Sequence, residues 1–124
     1  MSLNTLAVGI GGALGAMTRY LLSELIPTNT GFPYLTMSIN WTGSLLFALL
    51  FLTLPTKMEW LRLGVTTGFL GGFTTFSTFS VEALQLLEQQ EYILALLYSV
   101  ASAVGSIACC YISYYFTKKV VHKS

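Results

Sequence analysis

The sequence predicts an all-α integral membrane protein with four transmembrane helices, the third of which is broken near its middle. Its 124 residues are 54% hydrophobic and 9% charged, and the mean hydropathy is +0.70. A soluble domain carries about 25% charged residues, so this chain lacks the polar side chains needed to cover its surface in water. Four apolar runs are each long enough to cross a hydrocarbon core of about 30 Å. We expect one domain over residues 1–124, with spans at about 3–26, 34–54, 60–89 and 92–116.

In the first span, Gly11 and Gly15 have the four-residue spacing of a flat face for close helix packing. Arg19 follows them on the same helix. A charge inside a span has to face water, find a partner or extend to the interface. Arg19 is therefore interpreted either as a side chain that extends to the interface or as a fixed positive charge that draws anions into a vestibule.

The second and fourth spans carry no charged residue, but each has a polar stripe. The stripes are Thr36, Asn40 and Ser44 on the second span and Tyr98, Ser102 and Ser106 on the fourth. An unpaired amide in hydrocarbon costs several kcal/mol. Asn40 is therefore expected either to hydrogen-bond a neighbouring helix or to face a polar pathway.

The break in the third span is predicted by residues 68–80, which read GFLGGFTTFSTFS. Glycine costs about 1 kcal/mol relative to alanine inside a helix, and the hydroxyl and β-branched residues after Gly71 and Gly72 are also poor helix formers. We therefore expect the helix to break at 71–75. Backbone groups freed at bilayer depth must meet protein, water or an ion, and interrupted helices are frequent ion sites. The alternative is that the two glycines only allow a neighbouring helix to pack closely.

After the break, Phe76 and Phe79 share one helix face and Glu82 lies close to membrane depth. Hydroxyls and amides donate hydrogen bonds, and aromatic ring edges are electropositive, so these groups suit an anion. Ordinary packing is the alternative for the phenylalanines. A carboxylate inside the membrane, such as that of Glu82, is a functional candidate. The alternative is that Glu82 only accepts hydrogen bonds that tie its helix to a neighbour.

Composition excludes several classes of function. A net charge of +1 without clustered Lys and Arg argues against a nucleic-acid partner. The chain has no Asp, and its acidic residues and single His show no spacing typical of a nucleophile with its base, so we expect no enzyme. A structural zinc needs four ligands, so Cys109 and Cys110 are interpreted as small buried residues and His122 as a solvated tail residue.

The distribution of basic residues predicts the orientation in the membrane. Lys57, Arg62 and the lysines after the fourth span fall on the side that four spans assign to both termini, and the opposite loops contain none. The positive-inside rule therefore predicts cytoplasmic termini.

Several segments together resemble the small fluoride channels of the Fluc (CrcB) family. They are GGALGAMTRY in the first span, SINWTG in the second, GGFTTFSTFSVE in the third, and Ser102 with Gly105-Ser106 in the fourth. The resemblance covers essentially the whole chain. It implies a four-span subunit that assembles as an antiparallel, dual-topology dimer, with two narrow fluoride pores along the subunit interface.

The same resemblance implies roles for individual residues. Phe76 and Phe79 would line the pore as an aromatic box, Arg19 would lie in the vestibule, and Glu82 would be a structural residue of the broken helix. The other pore residues that it implies are Asn40, Ser77, Thr78, Ser80, Tyr98, Ser102 and Ser106.

A structural sodium ion is also implied by the resemblance. It would lie on the dimer axis, bound by the backbone carbonyls of Gly71 and Thr74 from each subunit. Oxygen ligands suit a hard cation, and a helix break supplies them.

The implied function is passive export of fluoride across the plasma membrane of a microbe. Hydrogen fluoride enters cells as a neutral acid and dissociates inside. An inside-negative potential then drives the anion out by about 2.3 kcal/mol per 100 mV. No pump is required, and the expected partners are fluoride, the lipid bilayer and a second subunit.

The identity of the second subunit stays open. A chain that inserts in both orientations has little Lys/Arg bias, whereas this chain has a clear one. An oppositely oriented paralogue in a heterodimer is therefore an alternative to the antiparallel homodimer.

Two other functions are alternatives to the channel. A small proton-coupled multidrug exporter also has four spans and dual topology, but it needs a carboxylate in the middle of its first span, where this chain offers only Glu24 near the end. A non-transporting assembly subunit would leave Asn40, the phenylalanine pair and the hydroxyl stripes without a role.

Overall fold

The computed structural model describes residues 1–123, which are organised as helices joined by short connections. The elements are α1 (Leu3–Leu25), α2 (Tyr34–Thr53), α3 (Glu59–Leu63), a π-helix (Gly64–Leu70), α4 (Gly71–Phe73), α5 (Phe76–Glu88) and α6 (Tyr92–Val121). Of these, α1, α2 and α6 are long and apolar enough to cross a membrane. The chain is therefore a multi-pass membrane protein, as its composition predicts.

The segments α3, π-helix and α4 form one continuous helix, which we call the third helix. Its backbone remains right-handed helical through Leu63 (φ −66°, ψ −40°) and Leu70 (φ −67°, ψ −32°). It ends at Thr74 (φ −74°, ψ 158°), and Thr75 is also extended (φ −148°, ψ 120°) before α5 begins at Phe76. Between Glu59 and Glu88, only these two threonines leave the helical conformation.

The interruption lies within the expected range 71–75 but only at its end, because the glycine pair does not itself break the helix. Gly71 and Gly72 are both helical. A Cβ on Gly72 would run into the carbonyl of Gly12 in α1, whereas a Cβ on Gly71 would meet nothing within 4 Å. Gly72 thus serves close helix packing, the alternative considered for the pair.

Glycine faces on α1 and on the third helix pack against each other. A Cβ on Gly11 would collide with the carbonyl of Gly64, and one on Gly15 with the carbonyl of Phe69. A Cβ on Gly68 would lie 2.7 Å from the carbonyl of Val8. The two helices run in the same direction, and their backbones approach so closely that no side chain fits between them.

The π-helix of the third helix had no counterpart in the sequence analysis. Within it Thr66 is 1% exposed, and its hydroxyl donates to the Arg62 carbonyl at 2.7 Å. A threonine hydroxyl that bonds back to the preceding turn competes with the backbone ladder, which favours local irregularity. Wider π turns inside helices are frequent at functional sites.

The other half of the fold is formed by α2, α5 and α6. The helices α2 and α6 pack along each other, and α5 packs against α6. Leu86, Ala95 and Tyr98 form the buried cluster between α5 and α6. Many large apolar side chains on the outer faces of the long helices are exposed, which suits contact with lipid or with another subunit.

The last helix is longer than expected, because α6 runs to Val121 rather than ending near Phe116. Its final turn contains Lys118 and Lys119. Positive side chains at a helix C-terminus are favourable with the helix dipole, so the basic tail continues the helix.

Candidate ion pathway at the helix interruption

The interruption between α4 and α5 is held by Asn40 of α2. The Asn40 Nδ2 group donates to the Thr75 carbonyl at 2.9 Å, and the Thr75 N–H donates to Asn40 Oδ1 at 2.8 Å. A buried backbone group left without a partner costs about 1–3 kcal/mol. One amide side chain therefore satisfies both backbone groups of the residue at which the helix has opened.

Thr75 also caps the helix that follows. The Thr78 N–H donates to Thr75 Oγ1 at 3.1 Å, and Thr75 Oγ1 donates to Thr78 Oγ1 at 3.0 Å. The Ser77 hydroxyl lies 3.3 Å from Thr75 Oγ1. A threonine at the N-cap satisfies one of the free amides of a helix start, so α5 begins as an independent helix at Phe76.

Because of these contacts, two backbone carbonyls lose the N–H donors that they would have in a continuous helix. In a continuous helix the Gly71 carbonyl would accept from the Thr75 N–H and the Thr74 carbonyl from the Thr78 N–H. Both amides donate to side chains instead. The carbonyls of Gly71 and Thr74, implied as sodium ligands, are thus among those that lose their helical donors.

A third carbonyl near the interruption has an arginine as its partner. Arg19 of α1 donates from Nε to the Gly72 carbonyl at 3.3 Å. The sequence offered a vestibule position or extension to the interface for Arg19. The structure places the Arg19 side chain against the third helix, one turn before α5, where it also lines a cavity.

The first cavity lies beside the interruption and has a volume of about 310 Å³. It is lined by Asn40, Ser44, Thr74, Thr75, Phe76, Phe79, Ser102, Ala103 and Ser106. None of these residues carries a formal charge. We call this space the phenylalanine cavity.

Aromatic rings and hydroxyls both line the phenylalanine cavity. The Phe76 and Phe79 rings have centroids 5.7 Å apart, and Phe76 is 79% exposed. On the α6 side, Ser102 is 7% exposed, and its Oγ has no hydrogen-bond partner among the described residues. A buried hydroxyl without a partner can donate to an ion or to water in the cavity.

The second cavity, of about 410 Å³, lies on the other side of Thr75. Arg19, Thr78 and Glu82 are among its lining residues, so we call it the arginine cavity. Thr75 lines both spaces, and the two cavities therefore adjoin at the interruption.

Glu82 is held by two hydroxyl donors from different helices. Thr36 Oγ1 of α2 donates to Glu82 Oε1 at 2.9 Å, and the Tyr98 hydroxyl of α6 donates to Oε2 at 2.7 Å. Tyr98 is fully buried, and its ring packs 5.1 Å from that of Phe79. Glu82 thus ties α5 to both α2 and α6.

The structure brings some of the implied pore residues together and separates others. Asn40, Phe76, Phe79, Ser102 and Ser106 share the phenylalanine cavity, with Thr74 beside them. Arg19, Thr78 and Glu82 share the arginine cavity.

Three implied pore residues lie elsewhere. Ser77 is exposed and contacts Thr75, and Ser80 is exposed, with its hydroxyl donating to the Phe76 carbonyl at 2.9 Å. Tyr98 lines neither cavity and bonds Glu82 instead.

Sequence reasoning did not assign Thr36, Ser44 or Thr75 to the site. Thr36 and Ser44 belong to the polar stripe of the second span, and their four-residue spacing from Asn40 indicates that all three share one helix face. Thr75 could have been recognised as an N-cap, because threonine is a preferred N-cap residue and its hydroxyl accepts from the backbone N–H three residues later, here that of Thr78.

Taken together, the fold and the site define a helical membrane protein with an uncharged, donor-lined cavity and an adjoining arginine-lined cavity at the end of an interrupted helix. The sequence model of one protein family, described as "CrcB-like protein, Camphor Resistance (CrcB)", matches residues 6–114. The chain belongs to this CrcB family, which confirms the resemblance drawn from its motifs.

Curated relatives agree with this assignment. The chain is 45% identical over 114 residues to "Fluoride-specific ion channel FluC 2" of Geobacillus kaustophilus, covering 88% of each chain. It is 46% identical over 109 residues to "Fluoride-specific ion channel FluC" of Bordetella petrii, covering 86% of this chain and 84% of the relative. A Staphylococcus aureus protein, "Fluoride-specific ion channel FluC 1", is 46% identical over 110 residues, which cover 83% of this chain and 87% of the relative. These relatives are channels, so the family is not one of enzymes, as predicted.

Proposed function

We propose that this protein is a fluoride-selective channel that allows cytoplasmic fluoride to leave the cell passively. The observation that carries the proposal is the phenylalanine cavity, which is lined by the rings of Phe76 and Phe79 together with Ser102, Ser106 and Asn40. Relatives that share nearly half of the sequence are named fluoride-specific channels. The outward direction follows from an inside-negative membrane potential.

The chemistry of the cavity suits a small anion that must pass rather than stay. Hydroxyls and ring edges replace part of the hydration shell of the ion. The lining residues carry no formal positive charge, so binding is weak enough for release. Arg19 in the adjoining arginine cavity supplies positive charge near an entrance without placing it on the path.

The pore is completed by a second subunit in this proposal. The third helix and α5 together form the broken third span, and an antiparallel partner covers the open side of the phenylalanine cavity. Phe76 supports this arrangement because its ring is 79% exposed although it lies beside the polar cavity. An exposed ring at the edge of such a cavity is suited to contact with a partner.

The proposed sodium ion fits the donor set of the interruption. The Gly71 and Thr74 carbonyls lose their helical donors, and a hard cation prefers oxygen ligands. Gly71 has open space in front of it, which suits a site on a twofold axis to which each subunit contributes two carbonyls. The ion, when bound, would neutralise these carbonyl dipoles at the subunit interface.

The orientation and the partner are tested together. We propose cytoplasmic termini for the orientation that the basic residues favour, with the antiparallel homodimer preferred over a heterodimer because the pore motifs are complete in this chain. Tags on both termini in a strain without a paralogue report the orientation. Labelling of tags from both faces of the membrane supports the homodimer, and labelling from one face only supports an oppositely oriented partner.

The function is tested by fluoride efflux from liposomes that contain this chain alone. Efflux is followed with a fluoride electrode, and chloride efflux from matched liposomes is the control. Fast fluoride release without chloride release is expected, with no dependence on a proton gradient. Transport that requires such a gradient would favour the exporter, and no release with either this chain or its co-expressed paralogue would overturn the channel.

A further inference from the structure

Two consecutive residues of α2 hold the two walls of the phenylalanine cavity. Asn40 binds the backbone of Thr75, from which α5 and its phenylalanines start. The next residue, Trp41, points about 100° further round the helix and contacts α6, which carries Ser102 and Ser106. One short stretch of α2 therefore contacts both walls of the cavity.

Trp41 contacts the backbone of α6 by a hydrogen bond that joins the two helices. Its Nε1–H donates to the carbonyl of Ala101 at 3.1 Å. A carbonyl oxygen has two lone pairs, so Ala101 accepts the indole donor in addition to its helical partner. This bond is made at the residue immediately before Ser102, whose hydroxyl lines the cavity.

The indole ring of Trp41 also occupies a socket on α6. A Cβ on Gly105 would collide with Cε2, Nε1 and Cζ2 of Trp41, so the ring fills the space that a side chain at 105 would take. Gly105 lies between Ser102 and Ser106 along α6. A rigid aromatic ring in a glycine socket prevents α6 from sliding or rotating against α2, because interiors are close-packed.

We propose that Trp41 is a positioning residue that sets the register of α6 on α2 and thereby the distance from Ser102 to the phenylalanine pair. The inference rests on the proposed function, since that distance determines how an anion is held in the cavity. Trp41 does not line the cavity, so it acts through Ser102 rather than by touching the ion. Its role is to determine fluoride selectivity.

The first test is the substitution Trp41→Phe, which removes the indole N–H and shrinks the ring. In reconstituted liposomes the ratio of fluoride to chloride release should fall by about 2- to 10-fold, the effect of one lost hydrogen bond. The matched control is Trp60→Phe, the other tryptophan of the chain, at the start of the third helix, which should leave the ratio unchanged.

A double-mutant cycle separates positioning from general destabilisation. If Trp41 acts through Ser102, adding Trp41→Phe to Ser102→Ala should change the ratio no further than Ser102→Ala alone. Effects of the two substitutions that multiply independently would overturn the proposal, as would an unchanged ratio in Trp41→Phe.

A measurement without ion flux separates failure of this proposal from failure of the channel function. The chain has two tryptophans, so its indole N–H signals in an NMR spectrum are assigned with the Trp60→Phe variant. The Trp41 signal should exchange with deuterated water more slowly than that of Trp60, and Gly105→Ala should move the Trp41 signal alone. Equal exchange of the two indoles would overturn the positioning contact even if fluoride passes. A protected Trp41 indole in a protein that passes no fluoride, either alone or with its co-expressed paralogue, would uphold the contact and refute the function.

Discussion

Replacement of Asn40 by alanine tests whether one side chain holds the helix interruption open. Asn40→Ala removes two hydrogen bonds, of 2.9 and 2.8 Å, to the carbonyl and N–H of Thr75. The Thr75 N–H is left without a partner, which costs about 1–3 kcal/mol. The Thr75 carbonyl still accepts the first hydrogen bond of α5 and loses only a second bond worth about 0.5–1.5 kcal/mol, so the free energy of unfolding should fall by about 1.5–4.5 kcal/mol. Fluoride flux should be lost as well, because the cavity wall that Thr75 anchors would move.

The two bonds can be separated by a second variant. Asn40→Asp keeps an acceptor for the Thr75 N–H but removes the donor to the Thr75 carbonyl, so its loss of stability should come from that carbonyl and from the repulsion between the two oxygens.

Stability is measured by unfolding in a detergent titration, and flux by fluoride release from liposomes. The control is Asn29→Ala, which alters an exposed asparagine in the loop before α2 and should change stability by no more than about 0.5 kcal/mol. An Asn40→Ala protein with wild-type stability and flux would refute the role assigned to this side chain.

Three further predictions concern helix packing, the carboxylate and the aromatic pair. Gly15→Ala should lower the free energy of unfolding by at least about 1–3 kcal/mol, because a Cβ there collides with the backbone of the third helix, whereas a Cβ at Gly9 meets nothing within 4 Å, so Gly9→Ala should leave stability unchanged or raise it by up to about 1 kcal/mol in the same titration. Tyr98→Phe should lower stability by about 1–3 kcal/mol, since it removes the 2.7 Å hydrogen bond to Glu82, and an unchanged unfolding midpoint would show that Glu82 finds another donor. Phe76→Ile should lower fluoride flux while leaving the unfolding transition unchanged, because the ring is 79% exposed in the subunit; equal flux in the two proteins would count against an aromatic pore wall.

The glycine spacing shows where sequence reasoning succeeded and where it stopped. Glycines four apart predicted a close-packing face on the first span, and the structure packs this face on the third helix. The glycine pair in the third span predicts a break at 71–75, and the helix opens at Thr74 and Thr75, at the end of that range. Gly71 and Gly72 themselves stay helical, because helix propensity is a weak preference that tertiary contact overrides. In Gly72, contact with α1 compensates for the low helix propensity of glycine, so the helix continues to Phe73.

Polar residues show a similar limit. The four-residue spacing identified Asn40, Ser102 and Ser106 as members of polar stripes, and the structure brings them to one cavity. Tyr98 belongs to the same stripe as Ser102 but lies buried against Glu82, outside the two cavities at the interruption. Spacing along one helix determines which side chains share a face, but the packing of that helix decides which of them meet a cavity and which meet another helix.

The sequence by itself determined that the chain crosses a membrane repeatedly, that its long helices are apolar, and that it belongs to the CrcB family. Hydropathy and composition are sums over residues, and a motif is a string of residues, so neither depends on how the helices pack. Only the tertiary structure decided that Asn40 binds both backbone groups of Thr75, that Arg19 binds the Gly72 carbonyl, and that Trp41 fills the socket at Gly105. Each of these contacts joins residues far apart in the chain, and the physical reason is that a hydrogen bond depends on distances between helices that no local pattern encodes.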